Sequence, residues 1–382
     1  MKLETKAIHA GESRKLIEGA VVPPIFVSAP YQYPNENPDS PVLYPRLSNT
    51  PTHRMVAEKL AALEGADAGL VTSSGMAAIS TTLLALVAPG QHVLAHEGLY
   101  GGSYQFFRKD FAHLGRQVTF FRNEDSSDLS KKLQPNTKVI YLESVSNPLL
   151  RVPDLRAVAR VASERGIAAV IDNTFPTPVN FNPIDCGFPI VIHSATKYLN
   201  GHSDLVAGCI VGKKELIGQI TQLFEHLGGS LDGHACYMLN RGLKTLPLRV
   251  RHQNETALRV AQALEKHAKI DRVLYPGLES HPDYRTAKEL FRGFGGMLSF
   301  EYAGSGEETH QMLTRLRIPF IAPSLGGAES LVTRPVETSH SWLSPSDRQK
   351  LGIKDNLVRV SIGLESSEDL IEDFLEALQK TQ

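Results

Sequence analysis

The sequence predicts an α/β fold: a mostly parallel central sheet covered by helices on both faces, with an N-terminal arm and a smaller α+β domain at the C-terminal end. Three observations carry this. Between residues 52 and 193, short apolar runs alternate with helical stretches, the pattern of parallel strands joined by crossover helices. Seven prolines (Pro23, Pro24, Pro30, Pro34, Pro38, Pro41 and Pro45) crowd the first fifty residues. The last third mixes amphipathic helices with strands in no regular alternation.

The elements follow in order. Proline lacks an N–H and fixes φ, so residues 1–50 read as irregular. The aromatics Phe26, Tyr31, Tyr33 and Tyr44 suit a segment wrapped over another surface better than a disordered one. From Thr52, the residues Val56, Leu60 and Leu63 share one helix face, which stops at Gly65. Ser73-Ser74-Gly75 opens a second apolar helix that stops at Pro89-Gly90. Strands are expected at 92–96, 117–121 and 138–143. Pro153-Asp154 starts a helix that runs to Arg165, with Gly166 as its stop. Residues 167–172 and 190–193 read as buried strands. A charged amphipathic helix is expected over 254–267, then strands at 272–275 and 297–302 and a last helix over 368–378. The division falls near residue 245, giving an arm (1–50), a large domain (51–245) and a small domain (246–382).

Composition narrows the function. The 382 residues carry 40 Lys plus Arg against 41 Asp plus Glu, a net charge of −1. That argues against nucleic acid as the main partner. Three cysteines, Cys186, Cys209 and Cys236, form no disulfide framework and no Cys-rich zinc site. The charged start at Lys2, Glu4 and Lys6 is no secretory leader, and no apolar run approaches the length of a membrane span. These features point to a cytoplasmic protein acting on small molecules, with no membrane partner and no metal.

Strand ends are where ligands sit in such a sheet. One expected strand ends in Asp172-Asn173-Thr174, another in His193-Ser194-Ala195-Thr196-Lys197. An acid and a lysine there form, on position alone, a rim salt bridge. Hydroxyls flank the lysine, however, and Ser74-Gly75-Met76 offers free N–H groups at a helix start. A lysine amine, an acid and a phosphate cup together suit pyridoxal phosphate (PLP).

Ser194-Ala195-Thr196-Lys197-Tyr198, followed by Gly201-His202-Ser203-Asp204, resembles the lysine motif of the Cys/Met-metabolism, or trans-sulfuration, family of PLP-dependent enzymes. The resemblance spans nearly the whole chain. It includes residues 5–11 (TKAIHAG), Ser74-Gly75-Met76, Leu99-Tyr100-Gly101-Gly102, residues 143–148, Asp172-Asn173-Thr174, residues 240–246, Ser324-Leu325-Gly326-Gly327 and residues 357–365 (LVRVSIGLE). It implies an aminotransferase-type (fold type I) architecture with PLP as cofactor. It also implies roles. Lys197 would hold the cofactor as a Schiff base and shuttle protons. Asp172 would face the ring nitrogen, and Tyr100 would stack on the ring and assist proton transfer. Gly75, Met76, Ser194 and Thr196 would hold the phosphate. Asn147 would touch both the hydroxyl side of the cofactor ring and the substrate carboxylate, and Ser324 and Arg359 would hold the substrate, with Arg359 forking its carboxylate. Tyr44 and Arg46 resemble an element that reaches a neighbouring subunit's phosphate, which implies a homo-oligomer, a tetramer built as a dimer of dimers. Glu143 receives no role.

The chain also departs from the family pattern. Ser48-Asn49-Thr50-Pro51-Thr52 carries one extra residue in the loop after that element. Gly102 stands where methionine γ-lyases carry a reactive cysteine, and Pro323 stands where many γ-lyases and enterobacterial-type synthases carry glutamate. The segments at 318–327, 352–359 and 294–300 look most like plant-type cystathionine γ-synthases. The expected reaction is therefore replacement of the γ-ester of an activated homoserine by cysteine. A γ-lyase acting on cystathionine or methionine is the alternative, and a PLP-binding regulatory protein without catalysis is the alternative of another class. Intact Lys197, Asp172, Tyr100 and Arg359 speak against the latter.

Overall fold

The computed structural model describes residues 1–32 and 41–379. Pro34, Pro38 and Tyr33 of the arm lie outside the described residues. Seven strands build the central sheet: β1 (Ala68–Thr72), β2 (His92–His96), β3 (Gln117–Phe121), β4 (Thr137–Glu143), β5 (Ala168–Asp172), β6 (Ile190–His193) and β7 (Gly208–Gly212). Their order is β1-β7-β6-β5-β4-β2-β3. Strands β6 to β3 run parallel, and β7 lies antiparallel to both of its neighbours. The expected mostly parallel sheet is present.

Alternation along β4 shows why both faces are covered. Val139 and Tyr141 pack into one core with Ile79, Leu83 and Phe224 from the helices Gly75–Leu86 and Lys214–Leu227. Ile140 and Leu142 pack into the other, with Val56, Leu60 and Val158 from the helices Pro51–Glu64 and Leu155–Glu164. Successive side chains of a strand point to opposite faces, so a strand apolar at every position needs two covers.

A second, smaller sheet follows: β8 (Ile270–Leu274), β9 (Met297–Tyr302), β10 (Phe320–Ile321), β11 (Leu331–Thr333) and β12 (Leu357–Ser361). Its order is β10-β11-β12-β9-β8, antiparallel except for β10 with β11. The helices Leu246–Glu265 and Ser367–Gln379 share its apolar core through Val260, Leu264, Phe374 and Leu378. Among the described residues no helix is long and apolar enough to cross a membrane.

Three expectations need correction. The start of the chain is not irregular throughout: Leu3–His9 is a helix. Proline first appears at Pro23, so nothing forbids it. Ala7 is fully buried, and Lys59 Nζ donates to Ile8 O at 3.1 Å and to Glu12 at 2.8 Å. The helix expected from residue 254 begins at Leu246, because Pro247 sits in its first turn, where no intrahelical N–H is required. Strands β1 and β7 were missed, since glycine weakens a strand pattern. Gly69 and Gly208 are there for close approach. A Cβ on Gly69 would lie 2.6 Å from Ala57 O, and one on Gly208 would lie 2.2 Å from Ser74 O.

Candidate active site

The carboxyl ends of β4, β5 and β6, the start of helix Gly75–Leu86 and the loop before β11 enclose a cavity of about 630 Å³. Ten of the twelve residues singled out from the sequence line it: Gly75, Met76, Tyr100, Asn147, Asp172, Ser194, Thr196, Lys197, Ser324 and Arg359. Tyr44 and Arg46 do not. Tyr44 is partly exposed, and the Arg46 guanidinium lies 5.6 Å from its ring centroid and donates to Glu225 O.

The cup is built locally. Ser74 caps the helix, its hydroxyl accepting the Ala77 N–H at 3.0 Å. The N–H groups of Gly75 and Met76 are left at the positive end of the helix dipole. A Cβ on Gly75 would come within 2.9 Å of the Ser194 Cβ and 3.0 Å of its hydroxyl. Only glycine lets the Ser194 hydroxyl stand this close to the helix start. Thr174 ties the neighbouring strand ends together. Its hydroxyl accepts the Ser194 N–H at 2.8 Å, and its own N–H donates to Asp172 Oδ1 at 2.9 Å. The Thr196 hydroxyl is held on Ala207, accepting its N–H at 3.0 Å and donating to its carbonyl at 3.1 Å.

Lys197 Nζ donates to Ser324 Oγ at 2.6 Å. Ser324 has a φ of +89°, a backbone conformation rare for a residue with a side chain. Burial, and then the Arg359 charge, lower the Lys197 amine to about 8, which makes it a better base and nucleophile near neutrality. Arg359 is 5% exposed on β12. It donates to Asn147 Oδ1 at 3.2 Å and to Ser324 O at 3.0 Å, and among the described residues no carboxylate pairs with it. Burial lowers it to about 10. A buried guanidinium without a counter-ion is costly, and an anion in the cavity would offset that cost.

Two carboxyls close the floor. Asp172 and Glu143 are register partners at the ends of β5 and β4, both buried and both lining the cavity. Burial raises Asp172, while the Thr174 hydrogen bonds act against it. Sequence reading left Glu143 without a role because a strand-end glutamate is ambiguous there. It also missed Thr174 as the link between Asp172 and Ser194, and it missed Thr338 and Ser339, which line the cavity from a loop with no motif.

PLP fits these residues. The glycine-opened cup suits a phosphate, the buried Asp172 suits the cationic ring nitrogen, and the lowered amine of Lys197 suits Schiff-base attachment to the aldehyde.

Comparison with known proteins agrees. The family described as Cys/Met metabolism PLP-dependent enzyme matches residues 4–379. A chloroplastic cystathionine γ-synthase from Nicotiana tabacum is 42% identical over 97% of this chain and 71% of its own length. A cystathionine β-lyase from Coxiella burnetii is 41% identical over 98% of this chain and 97% of its own. The crystal structure of a cystathionine γ-synthase from Xanthomonas oryzae pv. oryzae, in complex with aminoacrylate and cysteine, superposes with a TM-score of 0.95 at 37% identity, covering 100% of this chain and 98% of that one.

Proposed function

The chain belongs to the Cys/Met metabolism PLP-dependent enzymes, and within that family we propose that it acts as a cystathionine γ-synthase, replacing the γ-ester of an activated homoserine with the thiol of cysteine. Buried, unpaired Arg359 is the observation that carries an amino-acid substrate. Its free donors form a planar fork for an α-carboxylate, with Asn147 beside it. When bound, PLP supplies the electron sink that makes the Cα–H bond acidic. The protein does the rest. Lys197 Nζ accepts the Cα proton and later returns it, and the Ser324 hydroxyl, which accepts from Nζ in the free site, aims the amine. Asp172 supplies the negative charge for the ring nitrogen. Tyr100, which lines the cavity, would stack on the ring and assist proton transfer.

The synthase reading rests on residue 323. Pro323 lines the cavity there beside Ser324 and Leu325, and none of the three carries a carboxylate. An incoming thiolate therefore meets no like charge where a glutamate at 323 would place one. The Xanthomonas oryzae synthase was crystallised with cysteine, in line with a thiol acceptor in such a cavity. Similarity to the Coxiella burnetii β-lyase supports a second reading, cleavage of cystathionine. Product analysis separates the two. With O-acyl- or O-phosphohomoserine plus cysteine, cystathionine should form faster than 2-oxobutanoate. Release of 2-oxobutanoate or pyruvate from cystathionine, with no synthesis from any ester, would move the assignment to a γ- or β-lyase.

Tyr44 and Arg46 lie outside the chain's own cavity, so we propose that they complete the phosphate site of a second copy. In a mixed dimer of Arg46→Ala and Lys197→Ala subunits, one site then has both residues intact. Activity from one of the two sites is expected on mixing two inactive variants. Verified mixed dimers with no activity would place Arg46 in service of its own subunit.

A further inference from the structure

Glu143 is the one acidic group in the cavity that the mechanism above does not use. It ends β4, directly across from Asp172 at the end of β5. Register partners on adjacent parallel strands present their side chains to the same face. Both carboxyls are buried, and both line the cavity. Among the described residues neither forms a salt bridge: Lys197 donates to Ser324, Arg359 to Asn147 and Ser324, and His193, whose charge favours ionised Asp172, pairs with Glu64. Two such groups side by side cannot both ionise at neutral pH.

The hydrogen bonds say which one keeps the charge. Asp172 accepts the Thr174 N–H at 2.9 Å, and Thr174 stabilises its ionised form through the side chain as well. Glu143 accepts one bond, from the Tyr100 N–H to Oε1 at 2.5 Å. Burial, and then the Asp172 charge, push the Glu143 carboxyl well above the usual carboxylate range. The bond to Tyr100 is nonetheless well placed. Tyr100 is the residue before the short helix Gly101–Gln105, and its surroundings are tight. A Cβ on Gly101 would lie 2.1 Å from Ser339 O, and one on Gly102 would lie 2.6 Å from the Tyr100 ring itself. The ring is half exposed over the cavity, so the main chain must be what fixes it.

We infer that Glu143 is a positioning residue: as a neutral carboxylic acid it anchors the main chain of Tyr100 and leaves Asp172 the single negative charge at the strand ends. The inference rests on the reading that Lys197 holds PLP with Tyr100 over the ring. Glu143 acts through an acceptor oxygen, and glutamine offers the same oxygen without a charge.

The test compares E143Q, E143A, Y100A and the double variant E143A/Y100A as holoenzymes. Turnover is measured in each, and the Kd for PLP is measured by visible absorbance on adding cofactor to the cofactor-free protein. E143Q is expected to rescue the site, with kcat within about threefold of wild type and the Kd for PLP within about twofold. E143A leaves the part-buried Tyr100 N–H without its acceptor and should lower kcat about tenfold or more. Once the Tyr100 ring is removed that loss should vanish, so the double variant should match Y100A within about twofold. A Kd for PLP raised about tenfold in E143Q would mean that Glu143 carries charge to the ring, and would overturn the proposal. Equal losses in E143A with or without the Tyr100 ring would overturn it too, as would an E143A enzyme of normal turnover. Should E143A fail to fold, the Kd and kcat of E143Q still decide. Wild-type absorbance that depends on Lys197 checks the underlying reading separately.

Discussion

Lys197→Ala is expected to lower turnover by roughly 10³-fold or more, because one substitution removes both the attachment point of the cofactor and the base that moves the Cα proton. The fold should survive, since Lys197 Nζ makes its hydrogen bond to one serine hydroxyl and, among the described residues, forms no ion pair. Borohydride reduction of the loaded wild type should fix PLP on Lys197, and peptide mapping should find the label there. A label on another lysine would remove the basis of the assignment. The same residue makes a pH prediction for the cofactor-free protein. Its amine is lowered from 10.5 to about 8 by burial and the Arg359 charge. For a base with a depressed value, folding carries a protonation penalty below the folded value, and the penalty fades as pH rises toward the unfolded one. A shift of this size corresponds to at most about 3 kcal/mol, and to about 2 after allowing for partial solvent exposure. Lys197→Met should therefore stabilise the cofactor-free protein by about 2 kcal/mol at pH 6, with the gain shrinking between pH 8 and 10.5. Denaturant melts at the two ends of that range check it, and a gain that grows with pH would contradict the sign.

Arg359→Lys is the second large effect. The guanidinium spans Asn147 Oδ1 and Ser324 O and still has donors free for a carboxylate. A lysine keeps the charge but not the planar fork. The substrate would then be held by a point contact, and its Cα–H bond would lose alignment with Lys197. Misalignment of this kind costs about 10² in rate or more. The visible absorbance of the bound cofactor should remain, because Asp172, Lys197 and the Gly75–Ser194 cup are untouched. Loss of colour together with activity would show that Arg359 holds the cofactor rather than the substrate. Unchanged kcat/KM would remove it from the site.

What the sequence disclosed is the chemistry that is contiguous in the chain. Ser74-Gly75-Met76, Asp172-Asn173-Thr174 and Ser194 to Lys197 each combine a strand or helix end with polar groups, and all three line the cavity. The buried strands were legible because β4, β5 and β6 carry unbroken apolar runs, Val139–Leu142, Ala168–Ile171 and Ile190–Ile192, that end in a polar residue. In the central sheet, β1 and β7 escaped because the glycines that let the backbone pass close to Ala57 and Ser74 also erase the strand signal, while β10 and β11 of the second sheet, two and three residues long, are too short to show a pattern. The helix Leu3–His9 escaped because the prolines that follow it dominated the reading of the whole arm. The contact between Lys197 and Ser324 was beyond reach for another reason: it depends on a positive φ at residue 324, which no periodicity reports. Glu143 was visible but undecidable, since its partner Asp172 is set beside it by sheet register, not by spacing along the chain.

The hydrogen bonds that close the site span long stretches of chain. Lys197 reaches Ser324 across 127 positions, and Arg359 reaches Asn147 across 212. During synthesis the N-terminal parts emerge first. The cup at Gly75, the acid at Asp172 and the lysine all leave the ribosome well before Ser324, and Arg359 is among the last residues of any element of the site to appear. A nascent chain can thus present a reactive amine and an anion cup with no carboxylate fork above them. With the proposed roles, competence to take an amino acid arrives only when β12 inserts between β9 and β11, after every group proposed to hold the cofactor has been made.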